Sequence, residues 1–505
     1  MIEGVDGRVA LSASVHGGSS SVGWLILAPG STTARRGDRS RRTLSGGDNR
    51  GMSRDALPSP ASDAPPSGVH ARLLRLAAPI IVSNVTVPLL GAVDTAVVGH
   101  LPDPAYLGGV AIGVTIFDFL YWGFGFLRMG TTGFVAQARG ARDAAEVRAV
   151  LGRALLIAAA LGLTLIVLQV PIMTAALGLV GASPDVEQSA AAYVAVRIWS
   201  APATLANYAL LGWLFGMQRP KTALVLQVFT NSLNIGLDLW FVVGLGWGVP
   251  GVAAASVIAD YAGSALGLLV ILRTLPGHAG WERRRLFERD RLLAMVRVNR
   301  DIFIRTLCLI FAFAWFTVQG ARLGDVTLAA NAVLLNLQSI MAYGLDGLAF
   351  AAEAMIGAAV GARDRVAFLA VTRAAALWSG VVAAGVAVGY AIFGSSLVAL
   401  FTNLPEVRAA AAIYLPWMVV SPLISVWSYV LDGIYVGATR AVEMRNGMLI
   451  ALVAYLAAAA VLVPAWGNNG LWLALMILMV ARAVTLGAWY PRLLRSVGSP
   501  SGSLG

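Results

Sequence analysis

The tetrapeptide GARD occurs at 140–143 and again at 361–364. The offset of 221 residues between them holds well beyond those positions. Leu107 pairs with Leu328, Pro184 with Pro405, Tyr193 with Tyr414, Ser200 with Ser421, Tyr208 with Tyr429, Gly212 with Gly433, Gly216 with Gly437 and Arg219 with Arg440. Chance likeness between two apolar stretches matches a few aliphatic residues. It does not keep register through Pro, Tyr, Gly and Arg over more than a hundred residues. The chain therefore reads as an internal duplication.

What is duplicated is an array of apolar spans. A bilayer core of about 30 Å needs about 20 apolar residues of helix. Segments of that kind fall at 73–98, 107–137, 147–176, 186–216, 221–245, 250–273, 293–321, 327–358, 366–400, 406–436, 441–464 and 469–492, which makes twelve. The loop 274–292 divides them into two halves of six, each with an even number of spans. The two copies therefore have the same orientation and are parallel repeats about an axis near the membrane normal. The expected fold is all-α and membrane-embedded, with twelve transmembrane helices in two six-helix lobes. Composition agrees: 58% of the 505 residues are hydrophobic and 12% charged, against about 45–50% and about 25% in soluble chains. An ordinary soluble enzyme is excluded.

The expected divisions are a disordered Gly/Ser/Pro/Arg-rich tail at 1–70, an N-lobe at 71–275, an inter-lobe loop at 276–292, a C-lobe at 293–495 and a short tail at 496–505. Met52 offers a second start, so residues 1–51 are expected to be dispensable. The stretch 22–29 is too short to span a bilayer and lacks a clear small-residue cleavage site. Arginines concentrate in alternate loops: Arg139, Arg142 and Arg148; Arg219 with Lys221; Arg283–Arg285 with Arg289 and Arg291; Arg363 and Arg365; Arg440 and Arg445; Arg492 and Arg495. The intervening loops are nearly free of them. By the positive-inside rule both termini are expected in the cytoplasm, with the chain multi-pass in the cytoplasmic (inner) membrane. The net charge of +11 is thereby a topology signal, and no nucleic-acid partner is expected. The single cysteine, Cys308, excludes intramolecular disulfides and Cys-rich metal sites.

Charges inside spans are costly and point to function. The inventory is Asp94, Asp118, Arg128, Arg197, Asp238, Asp260, Arg305, Asp346, Glu353, Asp432 and Arg482. In span 1, Pro79 and Pro88 remove backbone hydrogen bonds and can bend the helix, and Asp94 lies about four turns beyond Pro79. In span 5, Asn234 and Asp238 are i and i+4 and share a face, while Ser256 adds a hydroxyl from span 6. Asp94, Asn234, Asp238 and Ser256 are therefore expected to form an oxygen-rich cluster. Two carboxylates in low dielectric cannot both ionise easily, which suits a proton. The same oxygens suit sodium, and spacing leaves both open. In span 8, Gln338, Asp346 and Glu353 fall near one another by helical spacing, with Arg305 of span 7 as a candidate counter-charge. A buried Arg–carboxylate bridge is the alternative for Arg305.

These residues resemble the multidrug and toxic compound extrusion (MATE) transporters over 71–495. The likeness is specific at PLLGAVDTAVVGHL (88–101), at Asn-x-x-x-Asp of span 5 and at YGLDGLAFAAEAMIG (343–357), and it looks like the DNA-damage-inducible (DinF-like) branch. The resemblance implies an antiporter, not an enzyme, that exports small organic molecules in exchange for protons or sodium through two lobes. It implies that Asp94, Asn234 and Asp238 bind the coupling cation, that Ser256 replaces a common threonine, and that Pro79 is the helix-bending proline. Span 7 presents Arg305 where another branch has a glutamate, so that branch's sodium site is not carried over, which favours protons. No cofactor is expected beyond the coupling ion. The expected partners are a cationic or amphipathic small molecule and the bilayer, with the chain a monomer. A lipid or lipid-precursor flippase of related two-lobe design is the alternative.

Overall fold

In the computed structural model the described residues are 66–98, 104–181, 183–275 and 282–498. The stretches at 1–65, which hold most of the expected tail, Met52 and residues 22–29, lie outside them. The described residues make twelve helical passages. The N-lobe contains α1 (Pro66–Val98), α2 (Pro104–Gly123) with α3 (Phe126–Gly140), α4 (Ala144–Val167) with α5 (Gln169–Val180), α6 (Pro184–Arg197) with α7 (Ala201–Gly216), α8 (Pro220–Asp238) and α9 (Gly248–Thr274). A short α10 (Arg283–Leu286) leads to the C-lobe: α11 (Arg289–Arg322), α12 (Asp325–Gly361), α13 (Arg365–Phe401), α14 (Pro405–Gly437) and α15 (Ala441–Ser496). The last makes two passages, because Gly467 takes φ 55° and ψ −132° and turns the chain back. At that turn Gly470 backs onto the Leu462 backbone, where a side chain would collide.

Three expected boundaries shift. Helix α1 begins at Pro66, inside the expected tail; the expected inter-lobe loop holds α10 and the start of α11; and α15 reaches Ser496. Several spans read as single helices are interrupted. Span 3 breaks at Leu168, three residues before Pro171, and span 4 narrows to a 3₁₀ turn at Ile198–Ser200, ahead of Pro202. Both prolines lack the N–H that would continue the α-ladder. Span 2 breaks at Phe124–Gly125, where i→i+3 bonds replace the α pattern. Helix α1, by contrast, stays helical through Pro79 and Pro88.

The duplication is visible at atomic level. Arg142 and Arg363 take φ of 58° and 56°, and Gln218 and Thr439 take 56° and 54°, each pair 221 residues apart. Asp143 caps α4 by accepting from Glu146 N–H at 3.0 Å; its repeat-mate Asp364 caps α13 by accepting from Ala367 N–H at 2.8 Å. A side-chain oxygen there satisfies a donor that the first turn leaves orphaned. Large apolar residues stand exposed on the outer faces, among them Leu163 on α4, Ile392 on α13 and Val453 on α15. Soluble proteins rarely expose contiguous apolar area of that kind; lipid covers it here. Eight of the helices are long and apolar enough to cross a membrane by length and composition.

Small residues set the packing between and within lobes. A Cβ at Gly433 would stand 2.5 Å from the Ala349 carbonyl oxygen, and its repeat-mate Gly212 is pressed equally against Arg128 O. Between lobes, a Cβ at Gly140 would collide with the Ala358 backbone, and one at Gly361 with that of Gln137. Those two collisions are mates of each other under the 221-residue shift. The lobes thus close symmetrically on each other through α3 and α12, at the end that bears the arginine-rich loops.

Candidate functional site

On the N-lobe side, α8 places Asn234 and Asp238 on one face, and α9 brings Ser256 against them. All three are buried. With its nitrogen turned toward Asp238, the Asn234 amide donates to Asp238 Oδ2 at 3.2 Å, and its oxygen accepts from Ser256 Oγ and N–H, both at 3.1 Å. Asp238 is the last α-helical residue before a π-helical turn, Leu239–Gly244. Such turns widen the backbone and recur at functional sites. Helix α1 packs along α8, but the side chains of Asp94 and Pro88 lie outside the described ones. The structure therefore brings Asn234, Asp238 and Ser256 together. Pro79 is half-buried on α1.

A second N-lobe network joins α6, α7 and α9. Arg197 donates to Asp260 Oδ2 at 2.7 Å, which also accepts from Thr204 Oγ1 at 2.8 Å. Arg197 bonds Ser200 Oγ and faces the rings of Phe117 and Tyr121, each at 5.8 Å. Every charge in it has a partner, as a buried ion pair requires. Asp118, next along α2, is exposed.

In the C-lobe, Arg305 does not pair with Asp346 or Glu353. Its carboxylate is Asp432 on α14, whose Oδ2 also accepts from Arg482 at 2.5 Å. The buried bridge is thus the arrangement found, and Arg305 is committed to it rather than open to an anion. Gln338 is buried, and its Oε1 accepts from Ser421 Oγ at 2.7 Å. Asp346 is half-buried and Glu353 is 1% exposed. Asp346, Phe350 and Glu353 share one face of α12, and Arg128 of the N-lobe lies over the Phe350 ring, 3.7 Å from its centroid. Arg128 is within electrostatic reach of both acids. In the sequence Arg128 is a charge in a span without a role, because its neighbours belong to the other lobe. Asp301, a buried carboxylate near the start of span 7 that is absent from the inventory of charges within spans, pairs with Arg300 at 2.9 Å and Arg445 at 2.8 Å.

Outside the spans, the connector is strapped to the N-lobe. Arg285 of α10 reaches Asp143 at 3.0 Å, Arg291 reaches Glu146 at 3.0 Å, and Arg153 holds Glu146 at 2.9 Å while donating to Arg285 O at 2.9 Å. Burial alone would raise the Asp143 carboxyl, but the Glu146 N–H and the Arg285 guanidinium hold it below its ordinary value.

The sequence profile of the MatE family matches this chain twice, at residues 79–240 and 302–464. The chain belongs to the MatE family. One match falls on each lobe of this MatE protein. The DNA damage-inducible protein F of Escherichia coli (strain K12) is 46% identical over 399 residues, covering 79% of this chain and 86% of that one. A protein named probable multidrug resistance protein NorM, of Caulobacter vibrioides, is 28% identical and covers 77% and 82%. Among solved structures, one described as MATE in the bent conformation superposes with a TM-score of 0.78 at 20% identity, covering 87% of this chain and 98% of its own. That likeness establishes a shared two-lobe MatE fold. This MatE chain is thereby a multi-pass membrane protein.

Proposed function

We propose that this MatE protein is a secondary active antiporter that exports small organic molecules in exchange for protons, by alternating access of its two lobes. The observation that carries this reading is the asymmetry of chemistry on a symmetric frame. The lobes close on each other through mated glycines at one end, while only the N-lobe of the described residues holds the buried Asn234–Asp238–Ser256 cluster. A buried carboxylate beside an amide that a hydroxyl holds in place offers oxygens to a proton or to a sodium ion. Protonation drives the cycle if it changes the relative stability of the two states. Asp94, from the neighbouring α1, is the second carboxylate of this site in the proposal, and Pro79 and Pro88 are where α1 bends. Substrate enters between the lobes. Arg305 and Arg482 share Asp432 there, while half-buried Asp346 and exposed Asp118 add two carboxylates and Arg128 one guanidinium. Those two carboxylates suit a cationic or amphipathic molecule. The names of relatives that include multidrug resistance agree with this class of substrate. The arginine-rich end faces the cytoplasm of the inner membrane in this reading, and the chain works as a monomer.

The test is uptake of a fluorescent organic cation into proteoliposomes under an imposed pH gradient and, separately, a sodium gradient. Wild type is expected to respond to the pH gradient, and Asp238→Asn, with normal insertion, to lose that response. Equal flux in Asp238→Asn would remove the cluster from the mechanism; a response to sodium alone would change the coupling ion.

A further inference from the structure

Glu353 on α12 is buried, and its Oε1 has no hydrogen-bond partner. Its repeat-mate is Thr132 on α3, in the other lobe. The mates are neighbours: Thr132 Oγ1 lies within hydrogen-bonding reach of the Glu353 carboxyl. One turn further on, a Cβ at Gly357 would stand 2.5 Å from the Cβ of its own mate, Ala136. Residues related by a two-fold axis touch only where they lie on that axis. Thr132–Glu353 and Ala136–Gly357 therefore mark the pseudo-dyad, the line along which the two lobes meet.

The hydrogens at this point can be counted. The Thr132 hydroxyl has one proton, for which the Arg128 carbonyl oxygen at 2.9 Å and the Glu353 carboxyl compete. Glu353 Oε1 is left with no donor, and a buried carboxylate oxygen without one is costly where a carboxylic acid is not. Two charged groups face Glu353: Arg128 from α3, lying over Phe350 without an ion pair to Glu353, and Asp346 two turns away on α12. Asp346 in turn faces Arg305, Asp432 and Arg482 from α11, α14 and α15. The helices that press closest to this pair, α7 and α14, present Gly216 and Gly437.

We propose that Glu353 is a second proton-binding site, on the pseudo-two-fold axis, that holds a proton while the lobes are together and releases it when they part. The inference rests on the two-lobe antiporter reading and adds to it a site outside the N-lobe cluster. The proton comes from water and forms the Glu353 O–H bond. When the lobes separate, water reaches the carboxyl, the O–H bond breaks, and the proton leaves to water. Because the together state binds this proton more tightly, acid favours that state and alkali favours parting.

Infrared difference spectra of the full-length protein in liposomes, acid minus alkaline, test this directly. Wild type is expected to show a protonated-carboxyl carbonyl band that is lost in Glu353→Gln and kept in Asp238→Asn. Thr132→Val, which removes the neighbouring hydroxyl, is expected to shift that band without removing it. In a Cys308→Ser background, spin labels at Lys221→Cys and Val442→Cys report the spacing of the lobes. The together population is expected to fall about five-fold between about pH 5 and about pH 9, the worth of one net hydrogen bond, and to fall by less in Glu353→Gln. A Glu353→Gln spectrum with the wild-type band intact, or a wild-type spacing indifferent to pH, would overturn the site. Absence of gradient-driven flux in wild type sinks the antiporter reading instead; flux without a Glu353 band sinks only this inference.

Discussion

Gly140→Ala tests the closure of the lobes at a single methyl group. The new Cβ would stand 2.8 and 2.9 Å from Ala358 C and Cα, and closer still to its oxygen, where ordinary contact begins at 3.4 Å. The obstacle is backbone, so no side chain can turn away. The carbonyl oxygen sets the requirement, and helices α3 and α12 must part by about 1 Å or more at this point. Overpacking of this kind costs about 1–3 kcal/mol, so the together state should lose about 5- to 150-fold against the parted one. The assay is the distance between labels at Lys221→Cys and Val442→Cys, equivalent exposed positions at the starts of α8 and α15 in the two lobes. Gly361→Ala, the mate, should act in the same direction. The double substitution should cost less than the sum, because both relieve themselves by the same separation. Gly389→Ala on α13 meets nothing within 4 Å and serves as the control. If Gly140→Ala leaves the distance distribution where Gly389→Ala leaves it, the two helices do not hold the lobes together.

Asp432→Asn leaves Arg305 and Arg482 without their shared carboxylate. Breaking one partner of a buried ionic cluster costs about 3–5 kcal/mol, so the melting temperature in detergent should fall well below that of Asp346→Asn. A surface-like loss of under about 1 kcal/mol would contradict this. The Arg285–Asp143 strap should respond to pH with a defined sign. Asp143 is held below its ordinary value, so the strap is intact above the unfolded value of about 3.9 and is lost as pH falls through the lower folded one. Both side chains are more than a third exposed, and the pair is worth about 0.2–1 kcal/mol at most. Trypsin should cut at 283–285 no more than about five-fold faster in Asp143→Asn than in wild type. Wild-type cleavage, corrected for the protease's own profile, should be flat from about pH 5 to about pH 9; a slope there would assign the strap to another group.

The repeat was legible because its marks are local. Arg142 and Arg363, and Gln218 and Thr439, sit in turns whose hydrogen bonds close within a few residues, so the same short sequence makes the same turn in both lobes. Asn234 and Asp238 were legible for the same reason, since i and i+4 on one helix share a face whatever surrounds them. Partners across helices were not. Nothing in span 7 states that Arg305 will meet Asp432 of span 10 rather than Asp346 of span 8, because that depends on how three helices rotate about their axes. Arg128 is a harder case. Its neighbours Phe350 and Glu353 lie in the opposite lobe, so its surroundings exist only once the lobes have docked. The breaks at Leu168 and Ile198–Ser200 carried a signal in Pro171 and Pro202; the π turn after Asp238 carried none.

Two pairs of labels, read in one set of liposomes, decide whether the lobes rock. Lys221→Cys with Val442→Cys spans the arginine-rich end, and Leu245→Cys with Trp466→Cys, also exposed and also 221 residues apart, spans the opposite end. On shifting the pH across the titration of the buried carboxyls, the first distance should lengthen as the second shortens, and Asp238→Asn should weaken that exchange. Distances that change together, or that stay fixed at both ends while substrate still crosses the membrane, would contradict alternating access by two rigid lobes.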